Sequence, residues 1–370
     1  KYLQKKAIQS PWTLSKIPTR RFYKFIVVIP SCGERDYLPE TLKSISNQSE
    51  KFLCSALVVV VVNQSDQSNK YIAENNRSTW DIINKSKFDY ELIGIDAFSK
   101  GYDLPEKFAG VGLARKIGFD LTLPFANDYT LFCSIDADTL ISIKYFETIS
   151  NYKKKIDFDC LVPGVKHQKS EDKVINSEIR LYERFLYDTA NCMKNSGSPY
   201  GFLTMGSAMV FTAKAYISAG GISRRKATED FYFLQEVVKT TSVKSIPEIL
   251  VHPSARESER VYLGTGFRMK QAKEGFDIKS LYYTDDAFLI LKAWLDLGTN
   301  SWKMSFQNVL NEAVEIKTEL RDFLIAENLS KVWGGLQHSS KNNQQFVNQF
   351  HRWFDGLKTH RLLKYFSRRP

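Results

Sequence analysis

Two carboxylates one residue apart follow a short apolar stretch near the middle of the chain. Residues 131–136 read Leu-Phe-Cys-Ser-Ile-Asp, and Ala137 and Asp138 come next. We expect a buried strand that ends on Asp136 and Asp138, whose side chains would point to the same side because successive residues of an extended chain alternate. Two hard anionic oxygens at a strand end suit a divalent cation, Mn²⁺ or Mg²⁺, that bridges a diphosphate.

Two apolar runs nearer the start of the chain predict further strands of the same sheet. Residues 25–30 read Phe-Ile-Val-Val-Ile-Pro, and residues 57–62 read Leu-Val-Val-Val-Val-Val. Runs that are apolar throughout, rather than at every second position, are typical of parallel strands buried on both faces. Such sheets bind ligands at the carboxyl ends of their strands, which here lie near Ser31 and Asn63.

These segments and several short motifs together resemble the glycosyltransferases of family 2, which have the GT-A fold. The residues that carry the resemblance are the strand and helix of residues 25–48, Val61-Val62-Asn63, Gly112 to Gly118, Asp136-Ala137-Asp138, Gly206 to Phe211, Gly220-Gly221 and Thr228-Glu229-Asp230. Each motif is weak alone, whereas their order and spacing are specific. The chain departs from the family at Asn63, where Asp is usual, and in the Gly112 segment, which is one residue shorter.

The resemblance implies an α/β fold, namely a Rossmann-like GT-A domain with a mostly parallel central sheet flanked by helices. We expect residues 25–275 to form this domain. Residues 276–370 read as a helical C-terminal region with a basic tail, and residues 1–24 read as a basic extension that Pro11 and Pro18 interrupt.

The resemblance also implies how a nucleotide-sugar donor would be held. The candidate donor contacts lie at strand ends, in the Gly112 segment and after His252: Pro30, Ser31, Glu34, Asn63, Arg115, Asp136, Arg256 and Arg260. We expect Arg115 in the first turn of a helix, where the helix dipole disfavours a cation and a bound anion would explain it. Arg256 and Arg260 could close over the diphosphate as a lid. Asn63 leaves the identity of the base open, because an amide can both accept and donate.

For the metal, the resemblance implies Asp136 and Asp138, with Asp138 the more direct ligand. His252, which ends the apolar run 246–251, is the best-placed third ligand, although a histidine at a strand end is often only structural. For catalysis it implies Asp230 as general base, with Glu229 beside it and Thr228 as a possible helix cap. Inversion by direct displacement needs one base and no nucleophile. Glu229 and Asp230 could instead be ordinary first-turn acids of a helix.

Two other functions remain open on the residues alone. A sugar nucleotidylyltransferase would share the sheet and the metal, but it needs a Gly-rich phosphate loop where this chain has Pro30-Ser-Cys-Gly-Glu34. A non-catalytic nucleotide- or nucleic-acid-binding module would explain basic ends but not the ordered carboxylates. The Gln-x-x-Arg-Trp of processive family members is absent after His252, which favours a non-processive enzyme. The acceptor (a glycan, a lipid-linked sugar or a small molecule) and the oligomeric state are not predicted.

The positive charge of the chain is concentrated at its two ends. The net charge is +11, but residues 1–24 hold seven Lys or Arg and no acid, and residues 341–370 hold seven with Asp355 as their one acid. The rest of the chain is slightly acidic, so we expect no nucleic-acid partner. Five scattered cysteines, no apolar run of about 20 residues and no apolar start favour a cytoplasmic enzyme.

An aromatic stripe lies in the basic C-terminal tail. The residues that fall on one helical face are Phe346, Val347, Phe350, Trp353, Phe354 and Leu357. Two environments suit this face. It could pack on the protein's own body, which we expect, or it could lie on the anionic inner surface of a membrane, as a peripheral contact.

Overall fold

The computed structural model describes residues 2–8, 10–258 and 264–367. The chain divides into two compact units. Unit 1 comprises Lys1–Glu183 and Thr204–Phe276, and unit 2 comprises Arg184–Leu203 and Asp277–Pro370.

Unit 1 is built on an eight-stranded sheet with the order β3-β2-β1-β4-β7-β6-β8-β5 in the part of the chain described. The strands are β1 Phe25–Ser31, β2 Ala56–Asn63, β3 Glu91–Ala97, β4 Leu131–Ser134, β5 Leu140–Ile141, β6 Cys160–Val165, β7 Met209–Thr212 and β8 Val243–His252. The pairs β1–β2, β2–β3, β1–β4 and β6–β8 are parallel, and the pairs β4–β7, β6–β7 and β5–β8 are antiparallel. The predicted α/β fold with a mostly parallel sheet is therefore confirmed.

Helices surround this sheet in the sequence order of an α/β protein. They are α1 Tyr2–Lys5, α2 Leu38–Ser46, α3 Glu50–Leu53, α4 Lys70–Lys85, α5 Val111–Thr122, α6 Tyr145–Ile156, α7 Lys173–Asn195, α8 Ala213–Ala219, α9 Glu229–Thr240 and α10 Thr265–Lys273. Helix α7 begins in unit 1 and ends in unit 2. Short 3₁₀ helices cover Glu106–Phe108, Leu123–Phe125 and, in unit 2, Ile278–Leu281.

The central strands are buried on both faces, as their uninterrupted apolar sequences predict. Every residue of β1 and of β2 is buried. Helix α5 covers one face, and it approaches closely because Gly118 has no side chain: a Cβ there would run into Val28 and Val61. The sheet thus has no solvated face along these strands, which leaves their carboxyl ends as the place where polar side chains can collect.

The start of the chain is anchored in unit 1 through a buried carboxylate. Asp120, on α5, accepts hydrogen bonds from the Tyr2 hydroxyl, the Ile8 backbone N–H and the Tyr216 hydroxyl, each at 2.8 Å. Lys116 lies one turn earlier on α5 and pairs with Asp120 at 2.8 Å. The carboxylate is fully buried, and these donors together offset the cost of removing its charge from water.

Unit 2 is helical. Besides the end of α7 it contains α11 Asp285–Asn300, α12 Phe306–Ile316, α13 Thr318–Ala326, α14 Leu329–His338, α15 Asn343–Trp353 and α16 Gly356–Phe366. We predicted one helical face that extends to Leu357. This prediction is wrong, because the segment forms two helices. Helix α15 ends at Trp353, and Asp355 accepts a hydrogen bond from the Lys358 N–H as the cap of α16. An Asp at this position favours a new helix start over continuation of the old one.

The first part of the aromatic stripe packs inside unit 2. Phe346, Phe350 and Phe354 are completely buried. Trp294, on α11, contacts Phe350 and Phe354 edge to face at ring-centre distances of 5.5 and 5.8 Å. This is the packed environment that we expected for the stripe. Across the described ranges of the chain, no helix has both the length and the apolar character that a bilayer span requires.

We predict that Gly298→Ala destabilises unit 2. A Cβ at Gly298 would overlap the ring of Phe350, so α11 and α15 must separate or the ring must turn. Overpacking of this kind lowers the free energy of unfolding by about 1–3 kcal/mol, which urea denaturation would measure. Gly335→Ala is the matched control: it lies in helix α14 with no atom near its Cβ position, and we expect it to be neutral or slightly stabilising. Equal effects of the two changes would contradict the packing described for Phe350.

Candidate functional site

The candidate site lies at the carboxyl ends of the parallel strands. Strands β1 and β2 are paired in register, with Pro30 opposite Val61 and Ser31 opposite Val62, so the predicted contacts Pro30 and Ser31 lie beside the end of β2. Both are buried, and the hydroxyl of Ser31 has no hydrogen-bond partner within the described part of the chain. Strand β4, the other neighbour of β1, ends at Ser134.

Asn63, the last residue of β2, has a fixed amide orientation. Its Nδ2 donates hydrogen bonds to the backbone carbonyls of Ser31 and Val61, both at 3.1 Å. The amide hydrogens are therefore used inside the protein. The atom that remains is Oδ1, a pure acceptor, as a carboxylate oxygen would be. The ambiguity that the sequence left at this position is thus reduced, because the side chain presents an acceptor and not a donor.

Asp136 lies two residues beyond the end of β4, not within the strand as we expected. The pairing with β1 continues only to the N–H of Ile135, which bonds Val28 O at 3.2 Å. Asp136 then leaves the sheet and pairs with the guanidinium of Arg115. The side chain of Asp136 is 35% exposed. The same carboxylate therefore pairs with the buried arginine and is accessible to solvent at the strand ends.

Arg115 is a buried bridge between two carboxylates. One terminal nitrogen bonds Asp136 and the other bonds Glu229, a residue 114 positions later in the sequence. The side chain is 1% exposed. Burial alone would lower the pKa of Arg115, but the two carboxylates more than reverse this and raise it. The expectation that Arg115 lies in the first turn of its helix is wrong: α5 begins at Val111, and Arg115 is its fifth residue.

Three glycines make room for this bridge. A Cβ at Gly206 would collide with the guanidinium of Arg115, so only glycine leaves the arginine its place. At the start of α5, Cβ atoms at Gly110 and Gly112 would collide with the backbone of Lys226 and Arg225. The loop before α9 therefore lies directly on the first turn of α5, which brings Glu229 within reach of Arg115.

Glu229 and Asp230 begin helix α9, as predicted. Thr228 precedes them with φ +63°, in the left-handed region that non-glycine residues rarely adopt. Its hydroxyl donates to Ala227 O at 2.6 Å, so the predicted side-chain cap is wrong. This conformation of Thr228 turns the chain, so that Glu229 is buried whereas Asp230 is partly exposed.

The two acids have raised pKa values. Burial is the main cause for both carboxyls, and the nearby Arg115 only partly opposes it. Glu229 is buried in its ion pair with Arg115. Asp230 has one oxygen, Oδ1, bonded to the N–H of Phe231 at 2.8 Å. Of the two, Asp230 is the one whose surroundings suit proton exchange with a bound molecule, because Glu229 is committed to the arginine.

Asp138 is held by a second arginine. Arg256 contacts Asp138 Oδ2 through Nε and Nη2, each at 2.9 Å, and its Nη2 also contacts Glu34 Oε1 at 2.5 Å. The guanidinium lies over the ring of Tyr37 at 4.0 Å from the ring centre. Although burial lowers it, the pKa of Arg256 is raised overall by the two carboxylates. The sequence assigned Arg256 and Glu34 to the donor, and in this structure Arg256 binds both Glu34 and Asp138.

His252 ends β8 near the same edge of the sheet. Its Nδ1 donates to the carbonyl of Lys166 at 3.0 Å, which leaves Nε2 as the nitrogen with a free lone pair. Gln168 ties His252 to Asp138, because its Nε2 donates to both backbone carbonyls, at 2.8 and 2.9 Å. Gln168 gave no signal in the sequence, since a single glutamine that bonds two distant carbonyls belongs to no pattern.

The carboxylates at these strand ends suit a hard divalent cation that takes most of its ligands from a bound phosphate. Among residues 2–8, 10–258 and 264–367, no three His, Cys, Asp or Glu side chains converge as a ready-made metal cage. Mg²⁺ and similar ions need none when one or two carboxylates and a diphosphate complete the coordination. Asp136 and Asp138 offer carboxylate oxygens of this type. Arg260, the last of the predicted donor contacts, lies outside the described residues.

No protein-family model matches the chain, and no curated protein matches it. Among solved structures it is similar to S. aureus TarS 1-349 in complex with UDP-GlcNAc, at 16% identity over 89% of each chain with a TM-score of 0.47. It is also similar to the mannosyltransferase PcManGT from Pyrobaculum calidifontis in complex with GDP-Man and Mn²⁺, at 12% identity over 94% of this chain and 89% of that chain with a TM-score of 0.44. Likenesses this weak carry no argument about function, and what the site can do follows from its own geometry.

Proposed function

We propose that the protein is an inverting, non-processive glycosyltransferase that moves a hexosyl or N-acetylhexosaminyl group from a nucleoside diphosphate to an acceptor hydroxyl. The observation that carries the proposal is the bridge through Arg115. It joins Asp136, which follows the strand ends where a nucleotide would lie, to Glu229, the neighbour of the candidate base Asp230. One buried side chain thereby fixes the distance between the donor side and the acceptor side of the site.

The base of the donor is the first part to be recognised. The Oδ1 of Asn63 can accept a hydrogen bond from a ring N–H at the end of β2. Uracil presents such a donor at N3 and guanine at N1, whereas cytosine and adenine present ring acceptors at the corresponding edge. Of the first two we favour a UDP-sugar, because the family that the sequence resembles usually has an acceptor for uracil N3–H at this position. Pro30 and Ser31 line the adjacent strand end.

The diphosphate is the leaving group, and its charge must be neutralised. Asp138 and Asp136 would hold a divalent cation, with His252 as a third ligand through its Nε2. The ion would supply positive charge to the departing phosphate oxygens. Arg256 is the cation of this chain nearest to Asp138 in the described residues, and it is suited to phosphate because a guanidinium offers two parallel N–H donors.

The acceptor hydroxyl must lose its proton as it attacks. Asp230 is the proposed acceptor of that proton, and a single base suffices for a direct displacement with inversion. The raised pKa of Asp230 makes it a better proton acceptor than an ordinary surface aspartate. Glu229 keeps the pair with Arg115 and so holds the helix start in place.

A nucleotide titration tests the donor part of the proposal. UDP should bind more tightly with Mn²⁺ or Mg²⁺ than with EDTA, and Asp138→Ala should weaken binding in manganese by roughly 10–100-fold, because an oxygen ligand of the metal is lost. Isothermal calorimetry would measure both. The control is Asp128→Ala, which removes an exposed aspartate from the loop before β4 and should change nothing.

Two results would count against this proposal. Equal binding of UDP in EDTA and in manganese would remove the metal from the mechanism. Formation of a nucleoside triphosphate from a nucleotide sugar and pyrophosphate would identify a sugar nucleotidylyltransferase instead.

A further inference from the structure

The contacts of Arg256 have a consequence for the metal site. One nitrogen of its guanidinium, Nη2, touches an oxygen of Glu34 and an oxygen of Asp138. These carboxylates come from the loop after β1 and the loop after β4, whose strands are parallel neighbours. The guanidinium of Arg256 therefore already places a positive charge between one oxygen of Glu34 and one oxygen of Asp138. The position has the two properties that a divalent cation requires, hard oxygen ligands from two directions and a negative local charge.

We infer that Arg256 is an internal cation that holds the metal position between Glu34 and Asp138, and that a divalent metal binds there only when Arg256 leaves. The inference rests on the metal-dependent part of the proposed function and adds to it. It makes Glu34 a metal ligand, a role that the sequence did not suggest. Arg256 would then occupy two positions. It binds the carboxylates when the metal is absent and the diphosphate of the donor when the metal is bound.

The burial of the two carboxylates favours the exchange of Arg256 for a metal ion over the simple loss of Arg256. The Glu34 side chain is 5% exposed, and that of Asp138 is 19% exposed. Carboxylates at this depth are costly to leave without a positive partner. When Arg256 moves away, a divalent ion would supply more charge to the same oxygens than the guanidinium did.

Arg256 itself also needs a new partner after it leaves, and the donor provides one. Guanidinium groups bind phosphate as readily as carboxylate, through paired N–H donors. A nucleoside diphosphate would take over the arginine while the metal takes over the carboxylates. Because such coupling is reciprocal, the metal and the diphosphate should each strengthen the binding of the other. Metal alone should bind weakly, since it has to displace Arg256 without compensation.

Manganese titration in the absence of any nucleotide tests this inference. The fraction of free Mn²⁺, followed by its electron paramagnetic resonance signal, gives the affinity of the protein for the ion alone. We expect Arg256→Gln to bind Mn²⁺ roughly tenfold more tightly than the wild type or better, because the competing charge is gone. Adding Glu34→Gln to Arg256→Gln should abolish that gain, which separates a shared metal site from a general change in charge.

The matched control is Arg225→Gln. Arg225 also stacks on a tyrosine, Tyr232, at 3.8 Å, and it forms no salt bridge in the part of the chain described. Its removal changes the net charge equally and should leave the affinity for Mn²⁺ unchanged. Circular dichroism melting of each variant would show that it is folded, and Arg256→Ala repeats the test if Arg256→Gln is not.

Unchanged or weaker Mn²⁺ binding by folded Arg256→Gln would overturn the inference, as would an equal gain in Arg225→Gln. The proposed function would survive that result if UDP binding to the wild type still depended on metal. Conversely, Arg256→Gln could bind Mn²⁺ more tightly while the wild type binds no UDP. That result would support Arg256 as the internal cation and contradict the proposed nucleotide donor.

Discussion

Asp230→Asn should lower turnover by about 100-fold or more while UDP binding stays within about twofold of the wild type. The amide keeps the size of the carboxylate and one oxygen at the place where the N–H of Phe231 donates. It cannot take a proton from an acceptor hydroxyl. The loss should therefore appear in the chemical step, and steady-state kinetics with a competent acceptor would show a lower kcat at nearly constant donor KM.

The pH profile gives this prediction a second readout. Because burial raises the pKa of Asp230, the acid limb of kcat/KM should lie above the value of about 4 of an ordinary aspartate. Activity falls as pH drops through the raised pKa, since the base becomes protonated. In Asp230→Asn this limb should disappear from the residual activity. Coupling to Glu229 means that the limb reports the pair and not one isolated carboxyl.

The control for the base is Glu236→Gln, on the same helix α9. Glu236 is 46% exposed and pairs with Lys239, so its loss should leave kcat and the pH profile unchanged. Wild-type turnover in Asp230→Asn would contradict the assignment, and Glu229→Gln would then be the next variant to examine.

Arg115→Met should destabilise unit 1 by about 3–5 kcal/mol, because it removes the partner of two carboxylates and leaves a charge buried. Glu229 is 3% exposed, and no other cation of the described residues forms a salt bridge with it. Urea unfolding would measure the loss. The variant should also be inactive, since the donor and acceptor sides of the site are no longer joined.

The loss should depend on pH in a defined direction. Without Arg115, the folded-state pKa values of Glu229 and Asp230 rise further above those of the unfolded chain, because burial already raises both and Arg115 partly opposes it. The folded state then binds more protons, so its stability increases as the pH falls and decreases as the pH rises through the raised values. Adding Glu229→Gln to Arg115→Met should recover part of the stability at neutral pH. A loss below about 1 kcal/mol, independent of pH, would mean that Arg115 is not the buried bridge described above.

The sheet could be predicted from the sequence because its signals are local. A run such as residues 57–62 has no polar position, and only a strand covered on both faces accommodates it. The carboxylates at Asp136 and Asp138 could be placed near a strand end for the same reason. The exact end of β4 at Ser134 could not, because it depends on which backbone groups still find partners on β1.

The partners of the charged residues could not be predicted. Arg115 and Glu229 are 114 positions apart, and Arg256 and Glu34 are 222 positions apart. The sequence assigns Arg115 to the nucleotide donor and Arg256 to its diphosphate, since a sequence shows a charge but not the charge it faces. Thr228 is another example: Thr before two acids is a typical cap, yet the chain adopts φ +63° there to turn Glu229 inward.

Gly206 has an evolutionary consequence. A side chain of any size at this position would occupy the volume of the Arg115 guanidinium. The two positions are therefore not free to vary separately, although they are far apart in the sequence. In any relative that keeps the arginine, we expect the glycine as well, and a substitution at 206 should become tolerable only after 115 has been replaced by a shorter residue. Such a lineage would also lose the reason to keep an acid at 229, so the three positions should change together or not at all.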